Sequence, residues 1–157
     1  IQGHCFGAGM QLALGADFRI ARPDAQLSIM ETRWGLVPDM GVSVTLRGLV
    51  GLDVAKELAM TSRIVSGEEA ARIGLVTRTA EDPFAAAKTL ADELAERSPD
   101  AVLAVKRVFN AMVSESNAST IGLEKAWQRR LMLGKNFPIA QKRGKSPETP
   151  YVDRELD

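Results

Sequence analysis

Apolar positions recur along this chain with two periods, and the switches between them mark out its elements. Met10, Ala13 and Leu14 share a helical spacing and predict a short helix over 9–16, opening behind Gly7 and Ala8. Residues 17–21 read as a strand, and Pro23 with Asp24 as a turn. Ala25, Leu27 and Ile29 alternate with Gln26, Ser28 and Met30, the pattern of a half-buried strand ending at Glu31. A helix is predicted from Pro38 to Val50, broken by Gly51, and a second over 52–61 with Leu52, Ala55, Leu58 and Ala59 on one face. Ser66 with Glu69 three positions on forms a capping box for a helix that stops at Gly74, after which 75–79 returns as a strand.

Beyond residue 80 only helical spacing remains. Asp82-Pro83 and Ser98-Pro99 each place a capping side chain before a proline at the first helical position. Phe84, Ala87, Ala91 and Leu94 mark the inner face of one helix, and Val102, Val105, Phe109 and Met112 that of the next. A third, over about 119–133, sets Leu123, Trp127 and Leu131 four apart. The chain therefore divides into an α/β part, 1–80, and a helical part, 81–157. The last helices need a partner surface to bury their apolar stripes, so oligomerisation is expected.

Composition narrows the class. The 157 residues are 45% hydrophobic and 25% charged, the profile of a globular protein. Twenty basic residues balance twenty acidic ones, which gives no electrostatic case for nucleic acid or an anionic membrane surface. No apolar run approaches the length of a membrane span. One cysteine excludes an internal disulfide and fits a reducing, cytoplasmic compartment, and one His with one Cys excludes a structural zinc site within a single chain. His4 and Cys5 point to opposite faces of an extended segment and read as packing residues. Ile1-Gln2-Gly3 reads as the end of a buried strand whose partners lie upstream.

Gly7, Ala8 and Gly9 ahead of a helix present backbone N–H groups at the positive end of its dipole, with little side chain to keep a ligand away. That suits a phosphate, or an oxygen that gains negative charge during reaction. A dinucleotide fingerprint fails because Leu12 stands at its third glycine, and no Gly-Lys-Ser/Thr ending marks a P-loop. A tight strand-to-helix connection with no ligand is the alternative.

The segments GHCFGAGMQLALGADFRIA, AQLSIMETRWGLVPDMG and GLDVAKELAMTSRIVSGEEAARIGLV resemble the crotonase (enoyl-CoA hydratase/isomerase) superfamily, in the family's order, from Ile1 to about Arg107. The resemblance implies a crotonase-like α/β fold: the C-terminal part of a spiral of ββα turns, roughly three-fifths of a usual member, followed by a helical trimerisation region. Members bind acyl-CoA thioesters and stabilise the thioester enolate with two backbone N–H groups. Ala8 stands where one of those donors comes from, its neighbours Gly7 and Gly9 completing the turn. Alanine is tolerable there if its φ stays negative. The other donor would lie upstream.

Glu31 falls on a catalytic glutamate of hydratases and dienoyl-CoA isomerases, and Asp39 on an aspartate that works with it in the isomerases. An apolar setting disfavours the charged form of a carboxylate, the condition for proton transfer near neutral pH. Pairing of Glu31 with Arg33, and helix capping by Asp39, are the structural alternatives. Gln11 stands where hydratases carry a second glutamate; an amide moves no proton but can hold a water or a substrate oxygen. Trp34, Leu36 and Met40 line the acyl pocket or simply pack in the core. The basic run of Lys125, Arg129, Arg130, Lys135, Lys142, Arg143 and Lys145 is a solvated face, or reaches CoA phosphates.

The expectation is an acyl-CoA enzyme that stabilises a thioester enolate and moves a proton on an unsaturated acyl chain, isomerising a double bond. Its alternatives are a 2-enoyl-CoA hydratase using Glu31 and a water held by Gln11, and a non-catalytic acyl-CoA-binding oligomer. No metal or redox cofactor is called for, since CoA arrives with the substrate, and the expected assembly is a homotrimer or a dimer of trimers.

Overall fold

A computed structural model describes residues 1–156 and divides the chain into two compact units, Ile1–Lys88 and Thr89–Asp157. The division falls inside a helix, a little after the expected boundary at residue 80.

In the first unit, β1 (His4–Phe6) leads into α1 (Ala8–Leu14), then β2 (Ile20–Ala21) and β3 (Gln26–Ser28). A 3-10 turn, Glu31–Trp34, and the short α2 (Val42–Thr45) precede α3 (Leu52–Thr61), β4 (Val65–Ser66), α4 (Gly67–Arg72) and β5 (Arg78–Thr79). β3 lies between β1, parallel to it, and β4, antiparallel to it; β2 and β5 form a separate parallel pair. The register sets Leu27 between Cys5 and Val65, and Leu27 is wholly buried. Around it Met10, Leu14, Ile29, Val42, Leu46, Leu58, Ala70, Leu75 and Val76 close the core.

Local chemistry explains much of this. Ser66 accepts from Glu69 N (3.1 Å) and so starts α4 as the capping box predicts. The reciprocal half is absent, because the Glu69 carboxylate pairs with Arg63 (2.7 Å) instead. Gly67 must be glycine: a Cβ there would lie 1.9 Å from the Arg22 carbonyl oxygen.

Several expectations are corrected. The strand over 17–21 shrinks to Ile20–Ala21 because Arg19 is buried, its guanidinium donating to the carbonyls of Leu75 (2.9 Å) and Ala16 (2.6 Å). The strand over 75–79 likewise shortens to Arg78–Thr79. Ser28, expected on the polar side of its strand, is buried and donates to Ser62 O (3.0 Å). The helix from Pro38 to Val50 is only Val42–Thr45, since Gly41 and Gly48 adopt positive φ (86° and 82°) at either side of it.

α5 (Pro83–Ala95) starts where Asp82 accepts from Ala85 N (3.0 Å), and crosses the boundary between the units. The second unit continues with α6 (Pro99–Ala111), α7 (Asn117–Leu133) and α8 (Asn136–Arg143). α7 begins at an unanticipated cap, Ser116, which accepts from Ser119 N (3.2 Å). Trp127 is buried as expected, with the Arg107 and Arg130 guanidinium groups 5.6 and 4.6 Å from its ring. Phe84, Val105, Phe109 and Met112 are exposed rather than inward, the buried positions on α6 being Asp100 and Ala104.

The second unit is pinned by a buried polar knot. Asp100 accepts from Asn136 Nδ2 (2.8 Å) and from the N–H groups of Glu155 and Leu156 (2.9 Å each). Asn136 also exchanges bonds with the backbone of Val152 in both directions (3.1 and 3.0 Å). Burial pushes the Asp100 carboxyl up, but the Asn136 amide and those N–H groups outweigh it and hold it below the usual carboxylate range.

Candidate active site

The glycine turn ends β1 and starts α1. Gly7 has φ 52° and ψ −122°, a conformation that side chains resist, and its N–H donates to Ser28 O (3.0 Å). Ala8, with no positive φ, follows as the first residue of α1, exposed, and its N–H bonds to nothing among the described residues. Gly9 is exposed beside it.

One turn into α1, Gln11 is almost wholly buried, not a surface amide. Its Oε1 accepts from Met40 N (2.8 Å) and its Nε2 donates to Glu31 Oε1 (2.5 Å). The amide has one consistent orientation here, because the Met40 N–H needs an acceptor and the carboxylate needs a donor. Gln11 thus ties together the glycine turn, Glu31 and the loop after Pro38.

Glu31 opens the 3-10 turn, with Oε1 lying 3.5 Å from where a Cβ on Gly7 would be. Its other oxygen, Oε2, is buried and has no hydrogen-bond partner among the described residues. A buried carboxylate oxygen without a donor is costly, and such groups are uncommon unless they serve a purpose. The alternative pairing with Arg33 does not occur; that guanidinium sits 5.9 Å from the centre of the Trp34 ring.

Asp39 is exposed and makes no bond among the described residues, so it does not cap α2, which begins behind Gly41. It directly precedes Met40, whose N–H Gln11 holds. Trp34, Leu36 and Met40 are exposed, at 70%, 62% and 47%, so they do not pack in the core of this unit. Sequence reasoning missed Thr32 and Ser62, whose hydroxyls meet at 2.6 Å beside Glu31. A serine directly after a ten-residue helix, where glycine usually ends one, was the available signal.

Of the basic run, Lys135 pairs with Glu155 (2.5 Å) and Arg143 with Glu96 (2.7 Å), while Arg130 covers Trp127. These three serve the second unit. Burial pushes the Cys5 thiol up, and no cluster of three or more metal-ligating side chains occurs among the described residues.

The glycine turn between β1 and α1 thus stands beside a half-buried glutamate. The family model for enoyl-CoA hydratase/isomerase matches residues 1–139, and the chain belongs to that family, with its crotonase-like fold. It is 35% identical over 113 residues to the carnitinyl-CoA dehydratase of Salmonella typhi, covering 71% of this chain and 43% of that protein. An enoyl-CoA hydratase from Polaromonas sp. JS666 superposes with a TM-score of 0.88 at 28% identity, over 96% of this chain and 60% of that one. A candidate enoyl-CoA hydratase from Thermobifida fusca YX superposes with a TM-score of 0.78 at 34% identity, over 83% and 52%. Its structures are complexes with CoA and with acetoacetyl-CoA. The chain thus spans under half the length of the curated relative. No helix among the described residues is long and apolar enough to cross a membrane.

Proposed function

We propose that this chain supplies the proton-transfer side of an acyl-CoA enzyme, with Glu31 Oε2 as the atom that takes a proton from the acyl chain and returns it. The observation that carries this reading is that oxygen, buried and unpartnered while Gln11 fixes its twin. The C–H bond breaks, its electrons move into the thioester as an enolate, and the carboxyl group carries the proton, in exchange with solvent, until it gives one to another carbon. Ala8 N–H would meet the thioester oxygen as it gains charge; such a donor is worth about 3 kcal/mol in a transition state. Asp39 is the second acid, beside the backbone that Gln11 holds, and Trp34 and Met40 contact the acyl chain. The CoA-bound relatives support an acyl-CoA ligand.

Double-bond isomerisation is the favoured reaction. Each end of the Gln11 amide is already bonded to protein, so it orients Glu31 rather than acting as a second water-activating group. A specific observation favours a second reading: the relative named as a dehydratase points to water addition or elimination, Glu31 acting on a water near Gln11. Assays of the full-length protein on 3-enoyl- and 3,5-dienoyl-CoA against 2-enoyl-CoA hydration separate the two. Isomerisation exceeding hydration supports the first, and the reverse supports the second. A third possibility, an acyl-CoA-binding oligomer without activity, requires that Glu31→Gln and Asp39→Asn change no reaction while CoA binding persists. The exposed Val105, Phe109 and Met112 of α6 support self-association, a homotrimer or a pair of trimers.

A further inference from the structure

Glu31 is useful only if its carboxylate is held in one place, yet the 3-10 turn it opens has no side-chain cap of its own. Gln11 holds Oε1, and the chain on either side of Glu31 is held by Ser62, the residue that ends α3. Ser62 is the one non-glycine residue with positive φ (53°) among the described residues, in the left-handed conformation that usually selects glycine at a helix end. A serine kept there, and buried, has a use for its hydroxyl.

That use can be followed proton by proton. Arg33 N–H can only donate, and it is shared between Ser62 Oγ at 3.1 Å and the Met30 carbonyl at 3.2 Å. The Ala59 carbonyl can only accept, and it takes the Thr32 hydroxyl at 2.7 Å. The remaining contact, Thr32 Oγ1 to Ser62 Oγ at 2.6 Å, is then satisfied only if Ser62 donates to Thr32. The hydrogens run in one direction: Arg33 to Ser62 to Thr32 to Ala59. On the other side of Glu31, Ser28 Oγ donates to the Ser62 carbonyl at 3.0 Å. Ser62 therefore grips the chain before Glu31 through its carbonyl and after it through its hydroxyl.

We propose that Ser62, with Thr32 as its relay, is a positioning residue that sets the Glu31 carboxylate for proton transfer. This role rests on the reading of Glu31 given above. It adds that α3, through its last turn, determines where that carboxylate stands.

Ser62→Gly in the full-length protein is the test. Glycine adopts this φ without strain and keeps the carbonyl that Ser28 uses, so the CH2OH group alone is removed. The expected result is a kcat about tenfold or more below wild type with KM within about twofold, the pattern of a misplaced catalytic group. The thermal midpoint is expected to be unchanged or raised, and amide exchange at Arg33 faster. Thr32→Val is expected to reproduce the loss, and Thr32→Ser, which keeps the hydroxyl, to recover most of kcat. Wild-type kcat in Ser62→Gly, alongside an inactive Glu31→Gln, overturns the role of Ser62 and leaves that of Glu31 standing. A lower kcat matched by a lowered midpoint and a raised KM also overturns it, because the hydroxyl then serves folding alone. Undiminished turnover in Glu31→Gln overturns the reading of Glu31 itself, and the positioning role with it.

Discussion

Each unit of this chain buries carboxylate oxygen, and the two sites are built on opposite principles. In the second unit Asp100 is surrounded: one oxygen takes two backbone N–H groups and the other takes the Asn136 amide. In the first, Glu31 has one oxygen fixed by Gln11 and the other buried with no partner. A carboxylate held by three donors is a fastener, both of its oxygens committed to structure. An oxygen kept short of donors is costly to stability and leaves an acceptor free for a reacting proton.

The contrast can be broken by exchanging what each carboxylate is for. Glu31→Gln should lower kcat of the full-length protein on acyl-CoA substrates by about a hundredfold or more, the range of a lost general base. Its urea midpoint should not fall, since no bond to Oε2 is lost; a lowered midpoint would make Glu31 a fastener too. Asp100→Ala is the mirror case. It strands three donors and should cost about 3 kcal/mol of stability in urea unfolding. A loss too small to measure would remove Asp100 from its structural role.

Acid provides a third comparison. The Asp100 carboxyl lies lower in the folded chain than in the unfolded one, so its contribution is fully present above the unfolded value, about 3.9. That contribution is lost as pH falls through the lower folded value. Unfolding followed below about pH 4 should therefore show a falling stability that is flatter in Asp100→Ala. Equal slopes would contradict it. The smallest effect should come from Gln11→Ala, which frees Glu31 Oε1 and the Met40 N–H together. A kcat loss of about tenfold and a stability loss of about 2 kcal/mol are expected. A variant with unchanged kcat would show that Glu31 needs no support from Gln11.

What could be read in the sequence was what short spans decide. The Ser66 and Asp82 caps and the 52–61 helix all lie where their local signals put them. The helix expected after Pro38 failed because Gly41 and Gly48 turn the backbone to positive φ, and a glycine's φ is not visible in its letter. On α6 the apolar spacing marks the helix, but Val105, Phe109 and Met112 are exposed, since burial depends on what packs against a stripe. In the candidate site, the sequence singles out Glu31 and Gln11 separately. That they bond across twenty residues of chain is a tertiary fact. The same limit hid Ser62, whose partners Ser28, Thr32 and Arg33 lie in a distant stretch of sequence.

Solvent deuterium provides the most direct trial of Glu31. The full-length protein, incubated in heavy water with an unsaturated acyl-CoA, should place deuterium on the acyl carbons next to the double bond, because the carboxylate exchanges its proton while the enolate waits. Glu31→Gln, bound to the same thioester, should place almost none. Deuterium entering at the wild-type rate in that variant would mean that some other group moves the proton.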